Sequence, residues 1–462
     1  MVMNGGAVNN SFLENSSQRK GRCIMFRKSL FLTAIVAIFS FCCQTEAVQI
    51  NSSWDGGTQG EWGQAGNWNP PKVPDNDANT FVVTIDAGGG EVRVGVLQWR
   101  TIDQLDCYGE VELNNWTSNW VELTLVDPSG LTNHDYLVIE GFVINGDVTN
   151  TAGAMLELED MGIEGDLYNQ AGATIEVFDE AWVDGAVENA GSMTVTPVSK
   201  LKVEGGTLHN TGQINIYGSS CVVYDDILDN NDTGLINGFG IVYADQLLRN
   251  KGQIIAYGGS LAVNSKGPLT NTGVLGNHPL SSLHIKLAVD VINNGTIEVN
   301  AGGGVAFDCN LINEPNNLLS EPNGVIKLLG GNLAATTITQ KAGAKFEGFG
   351  GIAGDVVIDP NGLIELTGPT NIVGDVTIDP NATLEISDGT TLVTGDCACN
   401  NGTIHMIGGR IIIQGTFTND NCNIIWQPGT YTNAADFNLD GTVNNKDLAA
   451  IAGTWLWQAA WY

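Results

Sequence analysis

The stretch GDVTNTAGAMLEL, residues 146–158, returns in altered wording as GDLYNQAGATIEV at 165–177. It returns again as GAVENAGSMTV at 185–195 and GGTLHNTGQINI at 205–216. Weaker copies fill the middle of the chain (NKGQIIA from Asn250, NTGVLG from Asn271, NNGTIEV from Asn293). Strong ones return as GDVVIDPNGLIEL from Gly354, GDVTIDPNATLEI from Gly374 and GDCACNNGTIHM from Gly395. The asparagine column Asn150, Asn169, Asn189, Asn210, Asn231, Asn250, Asn271 and Asn293 is spaced by 19 to 22 residues. The glycines Gly354, Gly374, Gly395 and Gly415 are spaced by 20 or 21.

Such a period is too short for helical hairpin repeats, which need roughly 33 residues or more. It does hold one lap of three short strands and three bends. Within each copy the apolar residues alternate with a period of two, which is strand periodicity. The leucine-rich signature is absent, and so is the strict hexapeptide rhythm of left-handed solenoids. The expected fold is therefore all-β, a right-handed parallel β-helix of roughly 13 to 17 coils over residues 81–430, about 60–80 Å long. In Ile175-Glu176-Val177 the Ile and Val should point inward and the Glu outward. The same holds for Leu156-Glu157-Leu158, Ile214-Asn215-Ile216, Ile297-Glu298-Val299, Ile364-Glu365-Leu366 and Leu384-Glu385-Ile386. Asn and Gly are expected at the bends, in left-handed conformations, with Asn side chains bonding to the next coil. Two departures from the rhythm, 310–321 and 276–282, read as insertions into a face.

The chain has 462 residues with 19 Lys and Arg against 51 Asp and Glu, a formal charge of −32. That balance argues against nucleic acid, whose phosphates need cations, and against an anionic membrane surface. Hydrophobic residues make up 43%, enough for a packed core. Residues 1–47 read as a secretory signal peptide, with Arg27 and Lys28 before the apolar run Leu30–Cys43 and a possible true start at Met25. The run is short for a membrane span of ~20 residues, and no later run reaches that length. A secreted, extracellular or cell-surface protein is expected. Of the cysteines beyond residue 47, Cys397 or Cys399 lies close enough in sequence to Cys422 for a disulfide, with a buried thiol as the alternative.

Both ends of a solenoid expose strand edges and need covers. Residues 48–80 contain Trp54, Trp62 and Trp68 among Pro70, Pro71 and Pro74. An aromatic N-terminal cap is the favoured reading and a sugar-stacking platform the other. This W…NW-x-P…VP…D pattern resembles the start of secreted bacterial β-solenoid and autotransporter-passenger-like proteins.

Residues 436–447, DFNLDGTVNNKD, have the spacing of an EF-hand-like calcium loop. Asp436, Asn438 and Asp440 fall at loop positions one, three and five, and Gly441 allows the sharp turn. Thr442 offers a carbonyl, Asn444 a direct or water-mediated contact and Asp447 a carboxylate, an all-oxygen set suited to Ca²⁺. With Asp at the last position and LAAIAGTWL following, residues 431–462 resemble a type I dockerin repeat. The resemblance implies calcium-dependent docking to a cohesin-like protein, with Asn445 and Lys446 at partner-recognition positions. A dockerin normally has two such repeats and this chain has one. The tail Trp455, Trp457, Trp461 and Tyr462 could pack on the solenoid end or form a docking surface.

No catalytic residues are singled out. Right-handed β-helices include polysaccharide lyases and hydrolases, but here the Lys and Arg residues are dispersed. The carboxylate pairs Glu157 with Glu176, Glu365 with Glu385 and Asp355 with Asp375 recur at repeat positions, as ladders would. The leading expectation is a non-catalytic structural, adhesive or assembly component that meets a polysaccharide or cell-surface partner. The alternative is a dockerin-bearing lyase or glycoside hydrolase.

Overall fold

Each Gly-Asp-Val-x-Asn phrase turns a corner and enters a three-residue strand: Val148–Asn150, Leu167–Asn169, Val187–Asn189. These strands stack in parallel, Val148 beside Leu167 and Asn150 beside Asn169. The computed structural model describes residues 47–77, 79–117, 119–315 and 323–427, with residues 219–222 and 224 described through their backbone only. From Ile50 onward these residues belong to one unit. It is a parallel β-solenoid with about 20 residues per turn. One register column runs from Ile85 through Cys107, Asn133, Asn150, Asn169, Asn189 and Asn210 to Asn230, Asn250, Asn271, Asn293 and Asn313, then through Gln340, Ile358, Ile378, Cys399 and Asn419. That is one residue from each of about 17 turns.

Three faces make up a lap. The triplet face carries strands such as Thr174–Val183, Ser192–Val195 and Thr383–Ile386. Its inward residues Ile175, Val177, Ile297, Val299 and Leu366 are fully buried, and Ile214, Ile364 and Leu384 nearly so. Glu157 lies beside Glu176 and Glu365 beside Glu385, as the alternation requires. A middle face follows, with strands such as Lys200–Val203, Ser282–Leu287 and Thr390–Val393. The asparagine face closes the lap. Apolar side chains from all three meet in one continuous core. No lap could bury its inner residues without neighbours, so the stack is the unit of stability.

The asparagines depart from the expectation of bends. From Asn133 to Asn313 the column members are buried at strand ends and point into the core. Each side-chain amide donates to the side-chain oxygen of the next lap, from Asn133 to Asn150 at 2.8 Å through to Asn313 to Gln340 at 2.8 Å. The bonds between are 2.7–3.0 Å long. Most members give their second N–H to a backbone carbonyl of the next lap, as Asn150 does to Thr174 at 2.8 Å. Burying an amide is tolerable only when it is bonded, and here both N–H groups and the oxygen are. The column passes through Asn230, not Asn231, whose place is in the following turn. A second asparagine series does occupy bends. Asn361, Asn381, Asn401 and Asn421 have φ of 63°, 62°, 50° and 57°, the left-handed region that Asn tolerates.

The Gly-Asp pair has its own physics. A Cβ on Gly165 would lie 2.4 Å from the Gly146 carbonyl, and one on Gly395 would lie 2.4 Å from that of Gly374. Only glycine lets the corners stack this closely. The neighbouring aspartates cap the backbone of the lap above. Asp147 Oδ1 accepts the Asp166 amide at 2.9 Å, and Asp166 Oδ1 accepts that of Ala186 at 2.7 Å. Asp355, Asp375 and Asp396 repeat this arrangement towards the C-terminus, at 3.0, 2.7 and 2.6 Å.

The insertions begin later than the sequence suggests. Leu311–Asn313 is a ladder strand, so the longer departure begins at Glu314, with 316–322 outside the described residues. Likewise Gly276 and Asn277 belong to a strand, and only 278–281 turn aside. At the front, Trp62 and Trp68 are buried with rings 4.7 Å apart, and Trp54 meets Trp68 at 5.1 Å. Their indole N–H groups donate to the carbonyls of Pro74, Trp62 and Gly57. At the far end Cys399 and Cys422 form a disulfide, while Cys397 is a buried free thiol.

Candidate functional sites along the coil

The residues expected to bind calcium, Asp436, Asn438, Asp440, Thr442, Asn444 and Asp447, and those expected to recognise a partner, Asn445 and Lys446, lie outside the described residues. So do the residues before Ala47, which read as a signal peptide, and the aromatic tail. Among the described residues no group of three or more His, Cys, Asp or Glu side chains could hold a metal ion. No helix among them is long and apolar enough to cross a membrane.

The acidic columns spend their charge on the coil. The Asp series bonds to backbone amides, as above. On the triplet face Glu347, Glu365, Glu385 and His405 are register neighbours. His405 Nδ1 and Glu385 Oε2 share a 3.0 Å hydrogen bond. Glu157 accepts from the Tyr136 hydroxyl at 2.6 Å. Burial first, and this hydrogen bond to Glu157 next, hold that phenol protonated well above the usual tyrosine range. Glu140 and Glu159 are both raised, mainly by burial and then by neighbouring carboxylates.

Basic side chains are distributed lap by lap. Arg100 pairs with Asp75 at 2.9 Å, Lys200 with Glu180 at 2.8 Å and Lys266 with Asp245 at 2.7 Å. On the asparagine face the outward column Glu188, His209, Asp229 and Arg249 runs across four laps, with contacts of 3.6–4.0 Å. These are cross-strand neighbours of the kind that steady a sheet. An open hollow of about 270 Å³ lies beside the longer insertion, lined by Glu314, Pro315, Lys341, Ala342, Asp359 and Pro360. Its single cation, Lys341, is held by Asp359 at 2.5 Å.

Two features escape a reading of the sequence. Asp225 is buried where the neighbouring laps have apolar or small residues, beside Ala244. Its carboxylate accepts the Leu208 amide at 2.9 Å and that of Ile227 at 3.3 Å. Elsewhere the position of Leu208 is bonded by a backbone carbonyl, as Leu167 is by Ala186. Burial pushes the Asp225 carboxyl up to about 7 against the opposing pull of these amides. The other feature is the tryptophans. Trp62 and Trp68 have no free face to offer a ligand, whereas Trp99, Trp116 and Trp120, in ordinary loop sequence, stand exposed. Only their spacing relative to the corners, which requires the register, distinguishes them.

No family model, curated protein or solved structure matches this chain.

Proposed function

We propose that this chain is an exported, non-catalytic β-solenoid, wound right-handed, that serves as a structural or adhesive spacer. In this reading a dockerin-like calcium module over residues 431–462 presents it to a cohesin-like protein. The observation that carries the structural part is where the repeat-position carboxylates go. Asp147, Asp166, Asp355, Asp375 and Asp396 each bond to the next lap's backbone. A hydrolase needs two carboxylates facing a glycosidic bond, whereas these aspartates hold the backbone in the same way on lap after lap, which supports a structural role for that series. The Cys399–Cys422 disulfide supports export, since such bonds persist in oxidising compartments. The oxygen-rich spacing Asp436, Asn438, Asp440, Thr442, Asn444, Asp447 supports calcium as the ligand of the terminal module.

Two experiments test this. Full-length protein assayed on acidic and neutral polysaccharides, with and without EDTA, should show no turnover; cleavage above background would replace the spacer by an enzyme. Calorimetric titration of the full chain with Ca²⁺ should show uptake that Asp440→Ala abolishes. Equal heats from both proteins would remove the calcium site.

A further inference from the structure

The corner between the triplet face and the middle face is not alike on successive laps. Gly95 pairs with Asn114 and Arg100 with Leu123, so residues 96–99 and 115–122 round the same corner on adjacent laps. The following lap pairs Glu140 with Asn114 and Val143 with Glu122. It rounds the corner with Gly141 and Phe142 alone, where the lap before it uses all of 115–121. Adjacent laps are ~4.8 Å apart, so the short and long corners present their side chains side by side.

Those side chains are tryptophans. Trp99 is 69% exposed, Trp116 43% and Trp120 55%. Leaving such large rings in water contributes nothing to the core, and exposed apolar groups gathered at one place mark interaction sites. The long corner is firmly built. Asn115 donates to the carbonyls of Asn119 at 2.6 Å and Gly141 at 2.9 Å, and its Oδ1 accepts the Thr117 amide at 3.0 Å. The Trp116 indole lies on Gly95, where a Cβ would come within 2.7 Å of the ring. That ring is therefore held against the Gly95 backbone while the residue stays 43% exposed.

The surroundings select the ligand. Glu112, Glu122 and Glu140 stand on the strands that flank this corner, with Asn114 bonded to Glu140 and Asn145 to Glu122. The nearby cations are already paired, Arg93 with Glu91 and Glu112 and Arg100 with Asp75. An anionic polymer would be repelled. A protein interface would call for a broad surface with few carboxylates at its centre, and this is a narrow acidic strip. Flat indoles beside carboxylate and amide acceptors match a ligand with apolar C–H faces and many hydroxyl donors. We propose that Trp99, Trp116 and Trp120 form a binding site for an uncharged polysaccharide. The site is independent of the terminal calcium loop.

Electrophoresis of the full chain through gels containing soluble mixed-linkage β-glucan, arabinoxylan, galactomannan or polygalacturonate tests this. Mobility should fall in at least one neutral gel and not in polygalacturonate, and EDTA should not alter it. The doubly substituted Trp99→Ala, Trp120→Ala protein should bind about tenfold more weakly or worse, since exposed tryptophans are typical centres of binding energy. Its thermal unfolding should match that of the parent because neither ring is in the core. Unchanged mobility in every neutral gel, equal retardation of the variant, preference for polygalacturonate or loss of binding in EDTA would each overturn the proposal. So would concentration-dependent self-association that the double variant lacks, which would make this corner a contact between copies.

Discussion

Gln340 receives the last amide bond of the asparagine ladder from Asn313, at 2.8 Å, and is the register neighbour of Ile358. Between these two residues the inside of one face changes from polar to apolar. From Asn133 to this boundary each lap is specified by hydrogen bonds that tolerate no slip; beyond it, by Ile358, Ile378 and Cys399 packing on one another. Interior and terminal rungs should therefore matter alike. Asn210→Leu leaves the Asn189 donor and the Asn230 acceptor without partners, at about 1–3 kcal/mol for each buried orphan. Gln340→Leu likewise strands the Asn313 donor and the Ala344 carbonyl, which accepts from Gln340 Nε2 at 2.7 Å. Urea unfolding should show each variant losing about 2–6 kcal/mol; losses below about 1 kcal/mol in both would refute the ladder as a source of stability.

Asp225 gives the solenoid a pH dependence of known sign. Burial pushes its folded carboxyl up to about 7, well above the ordinary aspartate range. The native state therefore holds the proton more tightly than the unfolded chain. The stabilisation is complete below the unfolded value and is lost as pH rises through about 7. The shift corresponds to about 3–5 kcal/mol. Asp225→Asn should flatten the stability profile between about pH 4 and 7, measured by denaturant midpoints. An unchanged slope would mean that the carboxyl is not the titrating group.

The glycines of the corners separate into two kinds by space. Gly165→Ala places a methyl 2.4 Å from the Gly146 carbonyl, so the laps must part; about 3 kcal/mol or more of destabilisation is expected. Gly172 has φ of +83° but open space around it, so Gly172→Ala should cost about 1–2 kcal/mol of backbone strain. Thermal unfolding of the two proteins side by side checks the ordering.

Cys399–Cys422 closes a loop 23 residues apart in sequence at the end of the described solenoid. Chain-entropy arguments assign a loop of this size about 3 kcal/mol. Because laps contact only their neighbours, the loss on reduction should stay local. Hydrogen exchange after reduction should accelerate over 397–427 and remain unchanged over 133–313. Uniform acceleration along the coil would show that its laps unfold together.

The repeat phrase made the fold legible because its meaning is local. Gly for close approach, Asp for an amide, Val for the core and Asn for the next rung all lie within five residues, and each lap says it again. Distinguishing Asn230 from Asn231 needed the register, since two adjacent asparagines look alike in a sequence and only one can point inward. The asparagines of 361–421 were legible as bends because each follows a local turn former, Asp-Pro before Asn361 and Asn381, Asn400 before Asn401 and Asp420 before Asn421. Trp62 and Trp68, whose spacing among prolines favours a cap over a sugar platform, are buried, while nothing in the local sequence marks Trp99, Trp116 and Trp120 as exposed. Exposure of a ring depends on how many residues a neighbouring lap spends at the same corner, which no single stretch records. Asp225 was hidden for a related reason: its carboxylate stands where other laps offer a backbone carbonyl to the strand below, which its own neighbours in sequence do not record.

Every amide from Asn133 to Asn313 hands its proton in one direction, so the bottom of any rung is interchangeable with the bottom of any other. A whole lap can then be duplicated or deleted with its flanking joints left chemically identical. Reach becomes a heritable variable that changes in fixed increments, like links in a chain, without renegotiating the architecture that carries it.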